Sequence, residues 1–128
     1  MLFVLNCIDK PNTLELRNDT RNAHIEYLRS SGQMVKLAGP YVTPDGQRMV
    51  GTMVVIDAMN AERAKAWADN EPYNKAGLFE AVDIRPWLWL VNNPQQRRAA
   101  AQRAANKAQG GGAGAGAGGQ RRVQNKAG

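Results

Sequence analysis

The sequence is poor in the residues on which most enzyme chemistry depends: one histidine, one cysteine and two serines among 128 residues. A single cysteine excludes an intrachain disulfide and fits a reducing compartment. Set in an apolar run, Cys7 reads as a small buried hydrophobe. One histidine without a second cysteine excludes the usual zinc ligand sets, so no metal is expected. Ser30 and Ser31 are adjacent at a helix end, which excludes a nucleophile elbow. No P-loop and no G-x-G-x-x-G occurs, so nothing cradles a nucleotide, and no cofactor is expected. Long apolar runs are missing too. Asp9-Lys10-Pro11 cuts the first one short, which argues against a signal peptide, a membrane span or a membrane partner and for a cytoplasmic protein.

Acidic residues are absent from the last quarter of the chain. Up to Pro94 there are ten Lys/Arg and eleven Asp/Glu; from Gln95 to Gly128 there are seven Lys/Arg and no acid. The net charge of +6 therefore belongs to the tail. Residues 1–94 read as one domain and 95–128 as a low-complexity basic tail. Gln95 to Gln109 is rich in Arg, Ala and Gln and marginally helical at best, and Gly110 to Gly119 is Gly and Ala only. The tail buries too little apolar surface to fold, so disorder is expected. A weak, salt-sensitive contact with nucleic acid or another polyanion is the partner its charge suggests.

Within the domain, Leu2 to Ile8 reads as a buried strand. Asn12-x-x-Glu15 suggests a capping box, Thr20 offers a second N-cap, and Gly32 ends the helix that carries Arg21 to Ser30. Gln33 to Val42 and Arg48 to Asp57 are two further strands, joined through Thr43-Pro44-Asp45-Gly46-Gln47 as an antiparallel hairpin. Asn60 caps a second helix, Ala61 to about Asp69, with Ala64, Trp67 and Ala68 inward. Glu71-Pro72 breaks it, and Leu78 to Ile84 is a fourth strand. The order strand, helix, strand, strand, helix, strand is the ferredoxin-like βαββαβ pattern, an α+β fold. Its antiparallel sheet has helices on one face only. A second copy of the chain is the simplest cover for the other face, so a sheet-to-sheet homodimer is expected. Pro86 to Val91 alternates indole and aliphatic side chains, which suits a subunit contact, a pocket wall or a cover for the domain's own edge.

The chemistry gathers on the first helix. Arg17, Arg21, His24 and Leu28 are spaced by four, three and four residues and share a face. A histidine beside two arginines needs an anionic partner, either a carboxylate or a ligand. Asp9, Asp45, Asp69, Glu71 and Asp83 are the candidate carboxylates, and Glu71 stands out because Pro72 fixes a helix break there. A lone helical histidine is more often structural than catalytic, so these residues alone leave the question open.

Asp9-Lys10, Arg21-x-x-His24-x-x-x-Leu28, Ala38-Gly39-Pro40, Gly51, Ala64-x-x-Trp67-Ala68, Pro72-Tyr73-x-x-Ala76-Gly77-Leu78 and Arg85-Pro86-Trp87 together resemble the YciI-like (YCII-related) family over residues 1 to 87. The resemblance implies a dimeric α+β barrel with a histidine–aspartate site. It also implies kinship with a dehydrochlorinase that acts on a chlorinated hydroxyquinol. The histidine carries over to His24, and the family aspartate falls at Glu71, one methylene longer. The implied function is cofactor-independent acid–base chemistry, elimination or isomerisation, on a small compound, with an aromatic one among the candidates. His24 and Glu71 would be catalytic, and Arg17, Arg21, Gly39, Pro40 and Tyr73 would bind substrate. The alternative is a non-catalytic ligand-binding or accessory module tethered by its tail.

Overall fold

A computed structural model describes residues 1–110 and divides them into two units, one ending at Leu88 and the other starting at Trp89. The first unit contains β1 (Leu2–Asp9), α1 (Leu14–Ser30), a 3-10 turn (Gly32–Met34), β2 (Val35–Val42), β3 (Met49–Asp57), α2 (Ala61–Asp69), a single helical turn α3 (Pro72–Lys75) and β4 (Phe79–Trp87). The four strands form one antiparallel sheet in the order β2-β3-β1-β4. This is the βαββαβ arrangement expected from the sequence.

Strand alternation decides which residues meet the helices. Phe3, Leu5 and Cys7 of β1 and Val54 and Ile56 of β3 point into the helix layer, where they join Ala64, Trp67, Ala68, Tyr73, Leu78 and Phe79 in one buried core. Two bonds tie the helices together over this core. The Tyr27 hydroxyl donates to the Trp67 carbonyl (2.7 Å), and the Trp67 indole N–H donates to the Ser31 hydroxyl (2.9 Å). The opposite sheet face presents Val4, Asn6 and Ile8 beside Met53, Val55 and Asp83, with Leu37 and Tyr41 from β2. There the Tyr41 hydroxyl bonds the Asn6 side chain.

Several local expectations are revised. No capping box forms at Asn12, which adopts φ 59° in a tight turn instead, and Thr13 precedes the helix. Its hydroxyl turns back to the Lys10 carbonyl (2.6 Å), and α1 then runs unbroken through Asn18-Asp19-Thr20. Packing of Leu16, Tyr27 and Leu28 against the core outweighs the poor helix propensity of that stretch. The last strand begins one residue later than expected and runs on to Trp87, because Pro86 lies on an edge strand where it needs no ladder donor. Asn60 does cap α2, accepting from the Arg63 N–H at 2.9 Å.

The second unit contains α4 (Pro94–Gly110). Pro94 at its start and the alanine content account for the helix within the segment read as a disordered tail. The rest of that segment, including the Gly/Ala stretch after Gly110, lies outside the described residues. No described helix is long and apolar enough to cross a membrane.

Gly51 is required by the β1–β3 pairing. A β-carbon there would lie 2.4 Å from the Cys7 carbonyl oxygen and 3.1 Å from the Tyr41 ring. Gly51→Ala is therefore expected to destabilise the protein by about 1–3 kcal/mol. Gly39→Ala, with nothing within 4 Å of the added carbon, should leave the melting temperature nearly unchanged. Equal thermal midpoints for the two variants would show that the strands yield at Gly51.

Candidate acid–base site

The shared face of α1 divides on folding. Arg17 and His24 turn into the core, 3% and 8% exposed. Arg21 lies about 40° round the helix from Arg17, which leaves it at the exposed rim. Each residue then meets a different partner.

Arg17 is fully enclosed. Its Nε donates to Asp9 Oδ2 (2.8 Å), and its Nη2 reaches Asp9 Oδ1 (3.2 Å), the Gly51 carbonyl (2.7 Å) and the Thr52 hydroxyl (2.6 Å). A buried guanidinium is tolerable only with this degree of pairing. Its central carbon also lies 4.7 Å from the centre of the Tyr73 ring, within cation–π range. The anionic partner that the sequence demanded for Arg17 is thus Asp9, within the chain. Thr52 and the Gly51 carbonyl were not legible beforehand. One signal was available: Thr52 is a polar residue entering an otherwise apolar strand.

His24 meets Glu71. Its Nδ1 lies 2.5 Å from Glu71 Oε1, and the other carboxylate oxygen accepts from the Tyr73 backbone N–H (3.1 Å). Glu71 is buried and caps α3 at the break that Pro72 enforces. With Glu71 ionised, both its oxygens accept, so the neutral imidazole carries its proton on Nδ1 and its lone pair on Nε2. Nε2 has no hydrogen-bond partner among the described residues. The imidazole stacks on Tyr73 with ring centres 4.1 Å apart and planes within 17°, and Tyr73 in turn meets Phe79 edge-on. The ring of His24 is therefore fixed by one hydrogen bond and one stacked face.

Burial raises the Tyr73 phenol above its ordinary pKa, while the charges of Arg17 and Arg21 oppose that rise. Cys7, beneath the pair, is pushed up to about 12, first by burial and then by Glu71 and Asp9. Its thiol stays protonated and offers no nucleophile at neutral pH.

The other candidate carboxylates are engaged elsewhere. Asp45 holds Thr43 and Gln47 in the hairpin turn, Asp69 pairs with Lys65, and Asp83 pairs with Arg85. Arg21 has no ion-pair partner among the described residues. Pro40 is paired with Thr52, on the helix side of the sheet. Gly39 is paired with Met53, which places it on the opposite face and away from His24. No group of three or more His, Cys, Asp or Glu among the described residues is placed to hold a metal.

An antiparallel four-stranded sheet with helices on one face defines a small α+β domain, and a buried histidine–carboxylate contact lies between α1 and α3. The sequence profile of the YCII-related domain matches residues 1–88, and the chain belongs to that family. It is 34% identical over 95 residues to protein YciI of Escherichia coli O6:H1, an alignment covering 68% of this chain and 96% of that one. An uncharacterized protein of Haemophilus influenzae is 32% identical over 94 residues, with the same coverage. Among solved structures, the 5-chloro-2-hydroxyhydroquinone dehydrochlorinase of Burkholderia phenoliruptrix AC1100, in complex with 2,5-dihydroxybenzoquinone, is similar. It is 29% identical with a TM-score of 0.66, covering 73% of this chain and 99% of that chain.

The buried Arg17–Asp9 pair makes a direct prediction. Asp9→Ala leaves the guanidinium enclosed without its carboxylate and should lower stability by roughly 3–5 kcal/mol. A double variant, Asp9→Ala with Arg17→Met, should recover much of that loss. Chemical denaturation of the two variants measures this, and equal losses in both would show that the pair carries no coupling.

Proposed function

We propose that this protein is a small acid–base enzyme that moves a proton on a hydroxylated aromatic compound without a cofactor, in an elimination or an isomerisation. The observation that carries the reading is the 2.5 Å contact between His24 Nδ1 and Glu71, with Nε2 left unbonded. A carboxylate behind an imidazole fixes its tautomer and stabilises the imidazolium that forms when the ring takes a proton.

In the proposed step Nε2 removes a proton from a substrate hydroxyl or carbon. The electron pair left behind forms a new double bond. In an elimination the leaving group departs with its own bonding pair; in an isomerisation His24 returns the proton at another carbon. No oxidant is needed. Arg21, exposed and without an ion-pair partner among the described residues, would hold the developing phenolate. Tyr73, buried and stacked on the imidazole, would position His24 rather than touch substrate, and Pro40 would close the strand side. Because Arg17 is already satisfied by Asp9, its part would be to support Tyr73 rather than to take a substrate anion. The similar dehydrochlorinase, which acts on a chlorinated trihydroxybenzene, supports this substrate class.

Turnover of 5-chloro-2-hydroxyhydroquinone, read as chloride release, together with binding of 2,5-dihydroxybenzoquinone, tests the proposal. His24→Ala should lower the rate by about 10²–10⁴ with the fold intact. Glu71→Gln should do so less, and Arg21→Gln should act mainly through KM. Equal rates in wild type and His24→Ala would remove His24 from the chemistry, and no binding by wild type would remove this substrate class.

We also propose that the protein works as a homodimer joined through its open sheet face. That face exposes Ile8 and Leu37 at 44% and 40% beside the half-buried Val4 and Met53, an apolar area that a second copy would cover. Sedimentation velocity should give a dimer at micromolar concentration, and Leu37→Asp should shift it to monomer. A monomeric wild type would overturn the assembly.

A further inference from the structure

A cleft of about 470 Å³ lies at the opposite end of α1 from the histidine, between the turn that joins β1 to α1 and the start of β3. Leu14, which lines it, precedes His24 by ten residues, about 15 Å along the helix axis. The cleft is therefore separate from the acid–base site. Three large apolar residues line it and stay partly open to solvent: Leu14, Met49 and Val50 are 45%, 40% and 39% exposed. Single exposed apolar residues are ordinary on a protein surface, whereas three around one concavity mark a place where something apolar binds. Strand alternation puts Val50 on the same face of β3 as Thr52, the face that meets α1.

Charge narrows what that ligand is. Lys10 and Arg48 line the cleft, and neither has an ion-pair partner among the described residues. Asp9 is in the wall, but both its oxygens already accept from Arg17. Glu15 is then the one lining acid that no described cation holds. We propose that this cleft binds a small apolar carboxylate, with the anion between Lys10 and Arg48 and the apolar body against Leu14, Met49 and Val50. Its size selects a small molecule, since such sites run to roughly 300–1,000 Å³, whereas a protein partner covers about 800 Å² of surface. Two cations against one free acid suit a monoanion. The apolar lining offers a bare phosphate nothing, while it removes a hydrocarbon or aromatic body from water. The Arg48 guanidinium can meet a carboxylate with two parallel N–H donors, and the Lys10 ammonium adds a point charge beside it.

The test uses the full chain and 2-naphthoate as the probe, followed by amide chemical shifts in an NMR titration. The expected result is saturable binding that moves the amides of Lys10 to Glu15 and Arg48 to Val50. The double variant Lys10→Gln with Arg48→Gln should bind about tenfold more weakly or worse, the loss that follows from removing charge-assisted bonds. Neither side chain makes a hydrogen bond among the described residues, so the fold should persist, and thermal unfolding verifies it. The uncharged 2-naphthamide should be weaker than 2-naphthoate by a similar factor on the wild-type chain, a comparison that needs no variant. His24→Ala should bind 2-naphthoate as wild type does. No saturable shift at millimolar probe would overturn the proposal, and so would equal affinity in the double variant or equal affinity for the amide. Loss of binding in His24→Ala would also overturn it, because the probe would then occupy the acid–base site. Turnover is not among these readouts, so the cleft stands or falls independently of whether His24 is catalytic.

Discussion

A buried guanidinium anchors the candidate site. Arg17 stands where α1 crosses the sheet, and it is held by Asp9 at the end of β1 and by Gly51 and Thr52 on β3. Burying a charge is unfavourable unless nearly every donor finds an acceptor, so these contacts fix the rotation of α1 about its axis. That rotation brings His24, two turns along, into the core. Arg17 also lies against Tyr73, and Tyr73 stacks on His24, so a chain of contacts runs from the Asp9 carboxylate to the imidazole. Gly51 enters the same chain twice. Its carbonyl accepts from Arg17, and its missing side chain lets β1 approach.

Glu71 joins the two halves of the fold through a backbone constraint. Pro72 forces an extended conformation at residue 71 and opens a new helical turn, whose first free amide, that of Tyr73, bonds one oxygen of the Glu71 carboxylate. The second oxygen then points to His24. The same side chain caps α3 and orients the imidazole, which explains why it is buried although charged.

Charge is divided along the chain as sharply as structure is. The first unit pairs some of its cations with acids, Arg17 with Asp9 inside and Lys65–Asp69 and Arg85–Asp83 outside, while Arg21 has no ion-pair partner among the described residues. The second unit's helix has cations and no acids to meet them.

The sequence by itself determined the order of elements. Apolar runs, Thr-Pro-Asp-Gly, the Asn60 cap and the Glu71-Pro72 break are local signals, and local backbone and burial preferences suffice to read them. It also offered His24 and favoured Glu71 among five candidate carboxylates, and the family resemblance was what put the two together. Only the tertiary structure decided what Arg17 and Arg21 do. Helical spacing put them on one face, but the partners that separate them, Asp9 and Thr52, come from strands eight and thirty-five residues away. The direction of α1 over the sheet, which no local pattern encodes, made one arginine a buried strut and left the other at the rim. The same holds for Gly39, whose face was set by the β2–β3 register. Register and helix orientation arise from how all the apolar faces pack at once, and that is where a linear reading of the residues stops.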